Sequence, residues 1–195
     1  NMNAQLINPF ITAANEVLGK EANVKVERDG PLSLSTESLS PQDVTALIGV
    51  TGKVKGVVLY SMSMEMAIGV FSAMLGEPVT ELDDPGRSAI GELGNMITGQ
   101  AAILLEEAGY TCDLSPPTII EGKGTRISTM TMPTVARTVR PRLPSASVMW
   151  PTSIASASAH RAGSYVPLVA FRTAISVPCS RPPRSPSPPP PPTPT

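Results

Sequence analysis

No acidic residue follows Glu121 in this 195-residue chain, and no lysine follows Lys123. The sixteen Asp and Glu share positions 1–121 with six basic residues, a local charge of −10. Positions 122–195 hold nine Lys and Arg and no acid, a local charge of +9. The overall charge of −1 is thus the sum of two unlike parts. The basic part does not read as a nucleic-acid surface, because its arginines are scattered among Pro, Ser and Ala without interleaved aromatics. Cysteine is nearly absent: Cys112 and Cys179 stand alone, with no Cys-x-x-Cys spacing, so neither a disulfide framework nor a zinc site is indicated. Histidine occurs once, as His160. With Ser158 and Ser164 it lies in a segment that has nothing to hold a catalytic geometry. No apolar run approaches the length of a membrane span, and no charged-then-apolar leader precedes Met2. The expectation is a soluble, cytoplasmic domain with an appendage.

What is present is organised around residues 83–109, which read as one long helix with both ends marked. Asp84 is expected as the N-cap, with Pro85 at the first helical position, where its missing N–H loses no bond. Gly109 suits the left-handed residue that closes a helix. At about 100° per residue, Ile90, Leu93, Ile97, Ala101, Leu104 and Ala108 fall within roughly 80° of one another and define a core face. Ser88, Glu92, Asn95 and Gly99 fall within roughly 60° on the opposite side. A carboxylate and a carboxamide at i and i+3 are therefore neighbours, about 5–6 Å apart at Cβ, on a face turned to solvent. A Glu-x-x-Asn pair on a surface helix is unremarkable in isolation. Its neighbourhood carries more: Ser88-x-x-x-Glu92-x-x-Asn95-Met96-Ile97-x-Gly99-x-Ala101, then Ser115-Pro116-Pro117-Thr118.

Around this helix, residues 3–19 form an amphipathic helix with Leu6, Ile7, Phe10, Ile11, Ala14, Val17 and Leu18 on one face. Pro9 is expected in its first turn, so that the regular helix starts near Asn8, with Gly19 near its end. Residues 24–28 alternate like an edge strand and Asp29-Gly30-Pro31 reads as a turn, followed by a polar loop over 36–42. Residues 45–50 and 54–62 form a hairpin about Thr51-Gly52-Lys53. Ser63 caps a helix over 64–75, closed by Gly76, with Met66, Ala67, Val70, Phe71 and Met74 as core filler. Residues 118–121 and 125–132 read as two further strands. The fold class is α+β, with long helices packed on an antiparallel sheet.

The helix word and its flanks resemble the CheC/CheX/FliY family of chemotaxis phosphatases, and within it the CheX branch. That family's signature is an Asp or Ser, then Glu-x-x-Asn on a helix, then a Pro just over twenty residues later. The resemblance also takes in residues 3–14 and 48–56 and runs from about Met2 to about Pro133. It implies hydrolysis of the aspartyl phosphate of a CheY-like response regulator. Asn95 would orient the water and Glu92 would engage a cationic side chain of the partner, the Lys beside its phosphorylation site. Ser88 would make a supporting contact. Gly94 and Gly99 would leave room for another surface, and Pro117 would shape the turn after the helix. It implies no cofactor of the protein's own, Mg²⁺ being supplied by the partner, and a homodimer. Some family members carry the word on two helices; here Asn15 is preceded at i−3 by Thr12, so one site is expected. Two alternatives stand beside catalysis: the same fold kept as a non-catalytic binding module for a response regulator, and a structural part of the flagellar switch, for which the added surfaces are absent.

The resemblance gives a domain over 2–133 and leaves 134–195 as an Arg/Ser/Pro-rich tail, expected to be disordered because its composition cannot bury a core. Two explanations of this tail remain open. One is a slip of reading frame near codon 134: third-frame codons of Pro141 to Ser145 permit Glu-Thr-Pro-Phe-like residues, and those of Val148 to Pro151 permit Asn-Val-Ala, as a family member would continue. The other is a genuine Pro-rich linker. Loss of the last strands would expose a sheet edge that the family uses in dimerisation.

Overall fold

The computed structural model describes residues 4–35, 43–122, 134–142 and 175–176. The element order is α1 (Ala4–Glu21), β1 (Lys25–Ser35), β2 (Val44–Gly52), β3 (Gly56–Met62), α2 (Met64–Leu75), α3 (Asp84–Glu107), β4 (Cys112–Leu114), β5 (Thr118–Glu121), β6 (Thr134–Arg142) and β7 (Ile175–Ser176).

Strand β2 is the axis of the sheet that supports the helices. Its even-numbered residues Val44, Ala46, Ile48 and Val50 are buried, as are Val58, Tyr60 and Met62 of β3. Period-two alternation places these side chains on one face. Helix α3 adds Ile90, Leu93, Ile97, Ala101 and Leu105, and α1 adds Ile7, Phe10, Ile11, Ala14, Val17 and Leu18, in one continuous core. At the C-terminal end of α3 the stripe differs from expectation. Leu105 is fully buried, whereas Leu104 is only half-buried and Ala108 is exposed.

β2 pairs antiparallel with β3 along one edge, from Val44↔Met62 to Val50↔Gly56. Its other edge is shared by β4 (Val50↔Leu114) and β5 (Leu47↔Thr118). With both edges of β2 taken, β1 finds its partner in β6, and the described strands fall into two antiparallel groups, β3-β2-β4 with β5, and β1-β6-β7. The short strand β4 was not foreseen from sequence.

Several local expectations are met. Ser63 accepts the Met66 N–H at 3.3 Å and Gly76 closes α2 in the left-handed region, at φ 75°. The end of α3 is a Schellman arrangement: Gly109 has φ 86°, its N–H returns to Glu106 O, and Tyr110 N–H returns to Leu105 O. Others are corrected. The N-cap of α3 is Asp83, whose carboxylate accepts the Gly86 N–H at 2.9 Å, and Asp84 is the first helical residue, bonded instead to Arg87. Pro85 thus sits one position further in, still among the N–H groups that lack an intrahelical partner. Helix α1 begins at Ala4 and runs through Pro9 to Glu21. Burial of its apolar face outweighs the bond that Pro9 removes. Asn23 ends the excursion at φ 51°, with Val24 N–H returning to Leu18 O. Asp29-Gly30-Pro31 does not turn the chain; it lies at the register shift between Asp29 and Ser33 inside an eleven-residue β1.

Strand β6 starts at Thr134, where the low-complexity tail was expected to begin, and pairs with β1 from Ser35↔Thr134 to Lys25↔Arg142. Its β-branched Thr134, Val135, Thr138 and Val139 favour an extended chain. The loop expected at 36–42, the strand expected at 125–132, His160 and Cys179 lie outside the described residues.

Candidate active site

Helix α3 approaches the sheet most tightly at a glycine, where any side chain would press on its neighbours. A Cβ on Gly94 would lie 3.1 Å from Ala46 Cβ and 3.2 Å from Ile48 Cδ1 and Tyr60 Cδ2. Gly94 therefore serves the helix–sheet contact and faces inward, which corrects the expectation that it leaves room for a partner. One turn on, Thr98 donates its hydroxyl to Gly94 O at 2.7 Å, and Tyr60 OH lies 3.0 Å from the same Thr98 Oγ1. Both side chains are buried. Burial pushes the Tyr60 phenol well above its ordinary pKa, with the Thr98 bond opposing, so Tyr60 stays neutral. This buried chain of bonds fixes the rotation of α3 about its axis.

With that rotation set, the sequence-selected residues emerge on the far side. Ser88 and Glu92 are exposed, and Asn95 and Gly99 are half-buried. The side chains of Ser88, Glu92 and Asn95 make no hydrogen bond or ion pair among the described residues, so the carboxylate and the carboxamide of the pair keep all their bonding capacity for another molecule. Within α3 they form a carboxylate–carboxamide pair one turn apart on an open surface.

Pro117 lies elsewhere than expected, in an irregularity between two strand segments. Three residues, Ser115, Pro116 and Pro117, span the gap from Leu114 to Thr118, opposite only Ile48 and Gly49 of β2. Neither proline can donate to β2. Ser115 bridges the gap: its N–H donates to Gly49 O at 2.9 Å and its hydroxyl accepts the Gly49 N–H at 2.8 Å. The chain then presses Pro117 onto α3, where a Cβ on Gly91 would lie 3.6 Å from Pro117 Cγ. Pro117 therefore supports the helical turn that carries Glu92.

A charged clasp, missed from sequence, closes the N-terminal end. Arg87 donates Nε–H to Glu121 at 2.6 Å and an Nη1–H to Asp84 at 3.0 Å, tying the first turn of α3 to the end of β5. The Glu121 bond is the main cause raising the Arg87 pKa further. Asp84 and Arg87 are an i,i+3 pair on one helix, whereas Glu121 lies 34 residues on, and no local signal joins it to Arg87. Cys112 is a half-buried free thiol whose pKa is raised by burial first, then by Asp113 and Glu106.

On α1, Asn15 is exposed but committed: its Oδ1 accepts the Val26 N–H at 3.0 Å. Thr12 occupies the place of the glutamate. Among the described residues no three His, Cys, Asp or Glu side chains come together as metal ligands, and no helix is long and apolar enough to cross a membrane.

Fold and site together define a domain of the CheC/CheX kind, with an open Glu-x-x-Asn pair on a long helix over an antiparallel sheet. Residues 44–137 match the family model described as "Chemotaxis phosphatase CheX". The chain is 35% identical over 127 residues to the CheY-P phosphatase CheX of Thermotoga maritima, covering 65% of this chain and 81% of that protein. The chemotaxis protein CheX structure from Desulfovibrio desulfuricans superposes with a TM-score of 0.65 at 31% identity, over 70% of this chain and 91% of that one. The complex of CheX with CheY, BeF3 and Mg²⁺ from Borrelia burgdorferi has a TM-score of 0.55 at 25% identity, over 70% and 97% of the two chains. The chain belongs to the CheX family of chemotaxis phosphatases.

Proposed function

We propose that this protein hydrolyses the aspartyl phosphate of a CheY-like response regulator at the exposed α3 face, with Asn95 orienting the attacking water and Glu92 engaging the partner. The observation that carries the reading is the unpartnered Glu92–Asn95 pair, in a chain whose relative from Thermotoga maritima is named a CheY-P phosphatase.

An acyl phosphate needs little covalent help, because its leaving group is a carboxylate that departs without a proton. What hydrolysis lacks is a water aligned with phosphorus. The water oxygen forms the new P–O bond as the bond from phosphorus to the aspartyl oxygen breaks, giving inorganic phosphate and a free carboxylate. The Asn95 carboxamide carries both a donor and an acceptor, so it holds a water in one orientation. This parallels the glutamine that positions water in GTPases. The Glu92 carboxylate pairs with the cationic side chain beside the partner's phosphorylation site and so registers the two proteins. Ser88 lies one turn before Glu92 and adds a polar contact. Mg²⁺ belongs to the partner's site, in keeping with the Borrelia burgdorferi complex, which contains CheY and Mg²⁺. The catalytic domain runs from near Met2 and, through the pairing of β6 with β1, to Arg142. The Arg/Ser/Pro-rich remainder is an appendage outside the chemistry, and the working compartment is the cytoplasm, where such regulators reside.

The test is loss of acyl phosphate from a phosphorylated CheY-like protein. Asn95→Ala is expected to slow dephosphorylation by roughly a hundredfold or more while leaving binding nearly unchanged. Glu92→Ala is expected to weaken binding as well. Parental rates in both variants would refute the assignment, and binding without turnover by the parent would leave a binding module.

A further inference from the structure

Helix α3 contains four glycines inside its span, and three of them have neighbours within the chain. A Cβ on Gly86 would lie 2.8 Å from Leu82 Cδ1 and 2.9 Å from Phe71 Cδ1, and one on Gly94 would lie 3.1 Å from Ala46 Cβ. Gly91 meets Ile119 at 3.5 Å. At Gly99 a Cβ would meet nothing within 4 Å. Glycine is the worst helix former after proline, so an interior glycine with no packing reason weakens the site helix without return inside the chain. Its position is informative: Gly99 is four residues past Asn95, on the same stripe as Ser88 and Glu92.

Four residues further along that stripe stands Ile103, 53% exposed, one of two large exposed hydrophobics among the described residues; the other is Leu75 at the end of α2. An apolar residue here breaks the polar face of an amphipathic helix. Asn95 and Ile103 are about 12 Å apart along the axis, with Gly99 and the half-buried Ala102 between them. A specific interface covers about 800 Å² on each partner, more than the two turns from Ser88 to Asn95 present. Towards the N-terminus the helix surface is occupied by the Arg87 clasp to Asp84 and Glu121. Towards the C-terminus Gly99, Ala102 and Ile103 leave an open apolar stretch, closed by the exposed Glu106 in the last turn.

We propose that Gly99, Ala102 and Ile103 form the apolar half of the surface on which the phosphorylated receiver domain docks. Ile103 is the anchor for an apolar side chain of that domain, and Gly99 is the point where its surface comes closest to the helix backbone. This rests on the reading of Glu92 and Asn95 given above and extends the same interface. Ile103 does not touch the reacting atoms; it determines affinity and the choice of regulator.

The experiment uses the full-length chain and a CheY-like receiver domain phosphorylated by a small phosphodonor in the presence of Mg²⁺. Ile103→Asp is expected to raise KM about tenfold or more with kcat within about twofold, as for a central apolar anchor. Ile103→Met is expected to restore the parental KM. Gly99→Ala is expected to raise Tm and also raise KM. Gly19→Ala, at another open glycine, on α1, is expected to raise Tm alone. Asn95→Ala runs in the same series: its parental turnover would sink the site reading. An inactive Asn95→Ala beside a parental KM in Ile103→Asp would overturn the anchor alone. Dissociation of an oligomer by Ile103→Asp with KM unchanged would also overturn it, by showing that a second copy covers the patch.

Discussion

Helices α1 and α3 pack against each other, touch at Gln100 Nε2 and Glu16 Oε2 (3.3 Å), and each presents an asparagine outside the core. On α1, Asn15 accepts the N–H of Val26 and so fastens the helix to the first residues of β1. On α3, Asn95 has no partner among the described residues and stands one turn from an equally unpartnered glutamate. The same side chain is structural in one helix and available for chemistry in the other. The difference does not lie in exposure, since Asn15 is the more exposed of the two. It lies in what backbone group the fold brings within reach.

The largest effect that would sharpen this comparison is on turnover. Asn95→Ala is expected to lose roughly a hundredfold or more, whereas Asn15→Ala is expected to keep its rate within about twofold, read as acyl-phosphate loss per folded molecule. Comparable losses in both would mean that the two helices contribute alike. Next comes the fit of α3 on the sheet. Gly94→Ala forces a Cβ against Ala46, Ile48 and Tyr60 and is expected to cost about 1–3 kcal/mol, measured by urea unfolding. A neutral Gly94→Ala would mean that α3 can ride away from the sheet. Smaller again is the stability cost of Asn15→Ala, about 1–1.5 kcal/mol for leaving the Val26 N–H without its acceptor. The smallest effect is a null. Thr12→Glu completes the Glu-x-x-Asn word on α1, and in the Asn95→Ala background it is expected to restore no measurable activity, because Asn15 is already committed. Recovered turnover there would break the comparison outright.

The parts of the fold that were legible share a physical origin. Ser63 and Gly76 bound α2 as anticipated because caps act through bonds between residues three or four apart. The Glu92–Asn95 pair emerged on solvent because a 3.6-residue period dictates which residues share a face. Errors of one position, such as the cap at Asp83 instead of Asp84, arise where two neighbouring residues can each do the job. The lost bond of Pro9 favours a first-turn position, a local cost that burial of Phe10, Ile11 and Leu18 overrides.

Other features depend on partners distant in the chain. Gly94 and Gly99 are indistinguishable as letters in one helix; the sheet lies under one and open solvent over the other. Pro117 follows the helix in sequence, yet it works from a strand irregularity that exists because Ser115 meets Gly49 of β2. Composition alone assigns β6 to the start of the tail, and its pairing with β1 follows from β2 having no free edge. Helix ends, faces and the carboxylate–carboxamide pair are thus written in local periodicity, where interaction range is a turn or less. Which asparagine is free, which glycine is open and which strand finds a partner were settled by non-local contacts, whose strength depends on what the rest of the chain leaves unoccupied.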